Sequence, residues 1–205
     1  MKITLTQFVT LDGVYQAPGG PEEDTTGAFP HGGWSFAFDD EDFGTFMTEV
    51  FDRADAFLLG RRTYEIFASF WPTATGPDPI ASRLNTLPKY VATTTLTGAD
   101  WKGTRIIGAD DLVKDITALK EQPGRELQIH GSGALASSLM AHDLIDSVNL
   151  LTFPVVLGTG KRLFADGARP TAFRHTASRV TSKGVTISTY DLNGRPTYGS
   201  FATEQ

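Results

Sequence analysis

Apolar and polar residues alternate from Ile3 to Val9, which predicts a strand at the start of the chain. The pattern breaks at Leu11. Pro18-Gly19-Gly20-Pro21 and His31-Gly32-Gly33 mark a long loop, a length often tied to function inside a compact domain. Phe43, Phe46, Met47, Val50 and Phe51 then recur at helical spacing behind a run of acids, predicting an amphipathic helix over 39–53. Ala56 to Leu59 reads as a buried strand, and Arg62 to Phe70 as a helix that stops before Pro72. A loop from Thr73 to Pro79 leads to a short helix, Ile80 to Leu87, and to strands at Lys89–Thr93 and Arg105–Ile107. Ala109-Asp110-Asp111 caps a helix reaching Glu121, which Pro123-Gly124 ends. Strand Glu126–His130 and helix Ala134–His142 follow.

Beyond Asp146 the pattern changes. Ser147–Val156, Ala172–Thr181 and Gly184–Leu192 are strand-like runs without room for crossover helices. The first two thirds are therefore βαβ-type and parallel, and the last third antiparallel. The expected architecture is one α/β domain over 1–193 with a mixed, mostly parallel sheet, then a polar tail over 194–205.

The 205 residues are 40% hydrophobic and 20% charged, as in an ordinary soluble protein. A net charge of −6 argues against a general nucleic-acid binder, so any phosphate site must be local. With no cysteine, disulfides, thiolate catalysis and Cys-based zinc sites are excluded. The four histidines are scattered without ligand spacing, so no metal site is expected. The N-terminus opens as a strand without a signal-like apolar stretch, and no membrane-spanning run appears; a cytoplasmic location is expected.

Two strand-to-helix junctions carry the clearest chemistry. Ile129-His130-Gly131-Ser132-Gly133-Ala134 runs from a strand through two glycines into a helix, so backbone N–H groups at the positive end of the helix dipole point at whatever sits above the strand. Leu59-Gly60-Arg61-Arg62-Thr63 repeats the arrangement and adds two guanidinium groups, with Thr63 able to cap the helix or bind a phosphate. Each also reads as an ordinary packing turn. Together they suit a dinucleotide more than a single phosphate. The first lacks the third glycine of a Rossmann fingerprint and fails Gly-x-Ser-x-Gly, so Ser132 is not a hydrolase nucleophile.

Other candidates are weaker. Asp12, beside Gly13 at the end of strand one, is placed to act as an acid or to orient a water, but the segment is also a common turn. Asp42 could act as an acid, although the acids at 39–42 also stabilise a helix N-terminus. Gly160, Lys161 and Arg162 form a cationic turn that could hold an anionic substrate or be a solvated hairpin tip. Trp34, Phe36 and Phe38 line an apolar slot or join the core. The exposed strands of the antiparallel section suit a homodimer.

In their order, Leu11-Asp12-Gly13-Val14, Leu59 to Glu65, Lys89 to Thr94, Gly131-Ser132-Gly133 and Pro154 to Phe164 resemble the dihydrofolate-reductase-like superfamily. The resemblance runs from Lys2 to about Leu192 and is strongest to the reductase domain of bifunctional riboflavin-biosynthesis enzymes and its stand-alone bacterial relatives. It implies a three-layer fold with helices on both sheet faces and an NADPH-dependent reductase acting on a small heterocyclic or sugar-linked substrate. The implied substrate is of the 5-amino-6-(5-phosphoribosylamino)uracil type, with a dihydrofolate or pterin reductase as the alternative.

By resemblance, Arg61 and Arg62 face the cofactor phosphates, including the adenosine 2′-phosphate, and Thr63 the pyrophosphate. Thr94 lies near the adenosine, and Gly131, Ser132, Gly133 and Ala134 wrap the pyrophosphate and nicotinamide. The segment 158–164 borders the substrate. Two departures stand out. An ungapped count places Gly44 where folate reductases carry a carboxylate, and only a register shift brings Asp42 there. The zinc deaminase half of the riboflavin enzymes is absent. The missing carboxylate keeps open another class, a non-catalytic nucleotide-binding protein with a reductase fold.

Overall fold

The computed structural model describes residues 1–74, 76–108 and 110–201. Eight strands form one sheet: β1 (Lys2–Thr10), β2 (Ala54–Gly60), β3 (Lys89–Ala92), β4 (Thr104–Ile107), β5 (Glu126–His130), β6 (Ser147–Phe153), β7 (Phe173–Val180) and β8 (Thr186–Leu192). Five α-helices join them: α1 (Glu41–Asp52), α2 (Arg61–Phe70), α3 (Pro79–Thr86), α4 (Leu112–Glu121) and α5 (Gly133–Ala141). The spatial order is β4-β3-β2-β5-β1-β6-β8-β7. The pairings from β4 to β6 are parallel, and β6–β8 and β8–β7 are antiparallel. Strand β5 inserts between β2 and β1, so the two glycine-bearing strands become neighbours.

Period-two patterning sends successive side chains to opposite faces. Ile3, Leu5, Leu58, Leu127 and Ile129 meet Ile116 and Leu119 of α4 and Leu135 and Leu139 of α5. On the other face Phe57, Leu59, Val91, Leu151 and Phe153 meet Phe46, Val50 and Phe51 of α1, Tyr64 of α2 and Leu84 of α3. The sheet is thus the middle of three layers. Fully burying one such aliphatic or aromatic side chain stabilises the fold by roughly 1.5–3 kcal/mol.

Local signals explain the boundaries. Asp40 caps α1 by accepting from Phe43 N at 2.8 Å, and Asp78 caps α3 through Ile80 N at 2.8 Å. Lys89 is fully buried, yet its Nζ donates to Leu84 O at 2.7 Å and Leu87 O at 2.9 Å, closing the end of α3. Burial pushes its ammonium down to about 8.

Three expectations change. The strand predicted to reach Val156 ends at Phe153, because Pro154 has no N–H for a ladder bond. Asp111 precedes α4 without a side-chain cap bond, and Ala109 of the same predicted cap lies outside the described residues. The loop after β1 is not featureless: it holds 3₁₀ turns at Thr26–Ala28 and Phe36–Phe38. Thr75, in the predicted 73–79 loop, and residues 202–205 of the predicted tail also lie outside the described residues.

Candidate functional site

Because β1, β2, β3, β5 and β6 are parallel, their C-terminal ends share one edge of the sheet. Ligands of open α/β sheets bind at such an edge. Gly60 and Gly131 meet there. The Gly60 N–H donates to Ser132 Oγ at 3.0 Å, and Ser132 Oγ donates to Thr63 Oγ1 at 2.9 Å. Ser132 itself stands in the left-handed region at φ 55° and ψ 43°. Neither α2 nor α5 has a side-chain cap, in contrast to α1 and α3. Two helix N-termini therefore converge with free amides, the arrangement that attracts an anion.

The arginines begin α2 and differ in their partners. Arg61 forms an exposed i,i+4 pair with Glu65 at 3.3 Å. Arg62 pairs with Asp24 from the long loop. Thr94 is exposed just beyond β3, outward of Gly60 in the strand order.

The long loop folds back across this edge. Tyr15 packs on Gly133 so closely that a Cβ there would lie 2.5 Å from Tyr15 Cε1, and only glycine permits the approach. Burial raises the Tyr15 phenol above its ordinary value, with Asp24 adding to the shift and Arg62 opposing it. Gln16, itself buried, organises the loop. Its Nε2 donates to Asp24 O at 3.0 Å and Thr26 O at 2.9 Å, and its Oε1 accepts from Lys161 N at 3.1 Å. Trp34 Nε1 donates to Gln16 O at 2.7 Å.

The predicted substrate segment is knitted to the same loop. Tyr15 N donates to Lys161 O at 2.9 Å and Leu163 N to Gly13 O at 3.1 Å. Gly160 has φ 115°, and a Cβ there would come 2.7 Å from Val14 Cγ1. Lys161 Nζ bonds Asp24 Oδ2 at 2.6 Å, and Arg162 donates to Asp12 O at 2.9 Å and Asp12 Oδ2 at 3.2 Å. Both cations of the turn are thus paired with carboxylates, and neither is a free solvated tip. Trp34 sits edge-on to Phe153 at 5.2 Å beside Phe8, Phe38 and Phe43, so it joins an aromatic cluster at the end of β1 and β6. Phe36 is 83% exposed and takes no part.

Both predicted acids accept structural hydrogen bonds. Asp12 accepts from Thr10 Oγ1 at 2.6 Å, Leu157 N at 3.2 Å and Gly158 N at 2.9 Å. The Thr10 bond and then these amides hold its carboxyl down, against the opposing effect of burial, at about 2. It is an ionised turn organiser and a poor acid near neutral pH. Asp42 is exposed on α1 and accepts from Ser182 N at 2.9 Å, anchoring the helix to the β7–β8 turn.

Four residues of the site were not singled out from sequence: Tyr15, Gln16, Asp24 and His130. His130 ends β5, stacks on Phe51 at 4.3 Å and bonds Gln128 Oε1 through Nε2 at 3.0 Å. Gln128 spends its amide donors on Val50 O and Glu126 Oε2, so its oxygen faces His130 and fixes the Nε2–H tautomer. Burial pushes His130 down to about 3, so it is neutral. Two clefts, about 350 and 890 Å³, lie elsewhere: on the polar sheet face around Thr4 and Asn149, and beside α2 around Tyr64 and Trp101. Among the described residues no His, Cys, Asp and Glu set gathers for a metal, and no helix is long and apolar enough to cross a membrane.

Comparison with known proteins gives a consistent picture. The RibD C-terminal domain family matches residues 1–187. The uncharacterized protein YyaP of Bacillus subtilis (strain 168) is 26% identical over 196 residues, covering 94% of this chain and 96% of its own. Two solved structures are similar in fold. Dihydrofolate reductase from Enterococcus faecalis, complexed with NADP(H), has 16% identity and a TM-score of 0.57, with 94% of this chain and 96% of that chain covered. The Thermotoga maritima diaminohydroxyphosphoribosylaminopyrimidine deaminase/5-amino-6-(5-phosphoribosylamino)uracil reductase has 15% identity and a TM-score of 0.61, with 94% of this chain and 56% of that chain covered.

Proposed function

The chain belongs to the RibD C-terminal domain family, and from that premise we propose that it is a reductase that binds NADPH and reduces a small heterocyclic substrate. The observation that carries this reading is the junction at Gly60 and Ser132, where two uncapped helix N-termini and Arg62 converge on the ligand-binding edge of the sheet. These groups fit a pyrophosphate in number and sign. Arg61, Arg62 and Thr63 would hold phosphates. Gly131, Ser132, Gly133 and Ala134 would run beside the remainder of the dinucleotide, with Thr94 on the adenosine side. When bound, the nicotinamide supplies the hydride.

The chain's own residues bind, orient and exclude water. The loop carrying Tyr15 and Gln16 covers the junction, and the half-buried rings of Phe8, Trp34 and Phe43, packed around the buried Phe153, offer an aromatic wall near the ends of β1 and β6. A planar ring stacks well on such a wall. The best specific substrate is a 5-amino-6-(5-phosphoribosylamino)uracil-like pyrimidine, the compound for which the Thermotoga reductase is named. A pterin is less well served, because Asp42 is occupied at Ser182. One observation favours a second reading, a nucleotide-binding protein without turnover: Asp12 and Asp42 are both committed to structural bonds.

The test is direct. NADPH and NADH are titrated separately against the protein, and against Arg61→Ala and Arg62→Ala. Preferential loss of NADPH in either variant supports the phosphate roles; binding of neither cofactor to any form overturns the reading. NADPH oxidation with a panel of aminopyrimidines, pterins and deazaflavins separates a reductase from a binding protein.

A further inference from the structure

Asp24 joins the two sides of the site. One carboxylate oxygen meets Arg62 on the cofactor side, and the other meets Lys161 Nζ at 2.6 Å on the substrate side. Thr26 adds its hydroxyl at 2.6 Å and its amide at 3.2 Å. A guanidinium, an ammonium, a hydroxyl and a backbone N–H are the donors that a phosphate group recruits.

Burial makes this set unusual. The Asp24 side chain is only 9% exposed, whereas Arg62 and Lys161 keep 41% and 40% of theirs. A shielded carboxylate costs desolvation, and here that cost is offset by two partly exposed cations. The carboxyl stays ionised at about 2 because the Lys161 and Thr26 bonds outweigh the effect of burial. The same loop lays Tyr15 across Gly133, over the start of α5. Asp24 therefore occupies the cations and its loop covers the amides that an incoming anion would use.

We infer that Asp24 is a resident stand-in for a ligand phosphate: it holds Arg62 and Lys161 and keeps the loop over Gly133 until a phosphate takes its place at Arg62. The inference rests on the Gly60–Ser132 junction being the cofactor site. A phosphate that takes Arg62 leaves Asp24 held by Lys161 and Thr26 alone, so the loop is held less firmly. A ligand without a phosphate at Arg62 leaves the latch shut.

The experiment compares wild type, Asp24→Asn and Asp24→Glu. NADPH affinity is measured by titration, and hydrogen exchange is measured without ligand. Asp24→Asn keeps the shape but removes the competing charge, so it binds NADPH tighter, by roughly tenfold for a pair of partly buried contacts. Asp24→Glu returns affinity toward wild type. Without ligand, Asp24→Asn exchanges faster over segment 15–29 while β1 and β5 keep their protection, which also shows that the variant is folded. If Asp24→Asn binds NADPH equally or more weakly, the latch is overturned and Asp24 is a scaffold residue. If no form binds NADPH, the cofactor reading falls instead. The exchange arm then decides whether Asp24 pins the loop at all, since unchanged exchange overturns that too.

Discussion

Ser132 Oγ accepts the backbone N–H of Gly60 at 3.0 Å, a single bond that ties the end of β5 to the end of β2. The same hydroxyl donates to Thr63 Oγ1 at 2.9 Å, so both helix N-termini are set against each other through one side chain. Ser132 pays for this position with a left-handed backbone at φ 55°. That conformation costs a non-glycine residue roughly 1–2 kcal/mol. Ser132→Ala keeps the strain and loses both bonds, and leaves the Gly60 amide without its acceptor. Urea unfolding should show a loss of about 1–3 kcal/mol. Ser132→Gly relieves the backbone and should lose less. An alanine variant as stable as wild type would contradict the role given to this hydroxyl.

Gly133 is required by Tyr15. An added Cβ would fall 2.5 Å from Tyr15 Cε1, so Gly133→Ala must displace the ring or the start of α5. Overpacking of this kind costs roughly 1–3 kcal/mol. Adding Tyr15→Ala should recover most of that loss, because the obstacle is then gone. Thermal unfolding of the two single variants and the double variant measures the coupling. Simple additivity would mean that the ring and the glycine do not constrain each other.

Asp12 makes stability depend on pH in the acid range. Its folded value is about 2 against an ordinary 3.8, so the unfolded chain binds the proton first as pH falls. The contribution is fully present above about pH 4 and is lost as pH falls through about 2. Asp12→Asn should lower stability at neutral pH by about 1–2 kcal/mol, allowing for partial solvent screening. The gap between the two proteins should close by about pH 2. A constant gap across that window would show that charge is not what Asp12 contributes.

His130 acts in the same direction over a higher window. It is neutral when folded, at about 3, while the unfolded chain takes a proton near 6.5. The unfolded state therefore binds more protons between these values, and stability falls as pH drops from about 6.5 toward 3. His130→Gln keeps a polar side chain without this titration. Its stability should decline less over that interval, by on the order of 2 kcal/mol. Parallel curves for wild type and variant would exclude a buried neutral imidazole.

Much of the chain's local structure was legible in its patterning. Strand Glu126–His130 and the strand beginning near Ile3 follow from alternation, and α1 follows from Phe46, Met47, Val50 and Phe51 on one face. The two glycine junctions were also visible, because a strand, a glycine turn and a helix are consecutive in sequence. Asp24 was not. Nothing local in Glu23-Asp24-Thr25 distinguishes it from other loop acids, and its partners Arg62 and Lys161 are remote along the chain. Asp12 was visible as a carboxylate at a strand end, but its hydrogen-bond partners were not. Its bonds to Leu157 N and Gly158 N exist only once the 154–164 turn has folded beside it.

By itself the sequence determined the periodicities, the parallel and antiparallel halves, the glycine turns and the absence of thiol chemistry, since each rests on short-range backbone and side-chain preferences. Only the tertiary structure decided that β5 inserts between β1 and β2, which brings Ser132 to Gly60. It alone laid the long loop back across the sheet edge, with Tyr15 on Gly133 and Asp24 between Arg62 and Lys161. The physical reason is that electrostatics and close packing depend on separation in space. Distances between remote segments are set by how the whole sheet buries its two apolar faces, not by any one segment's pattern.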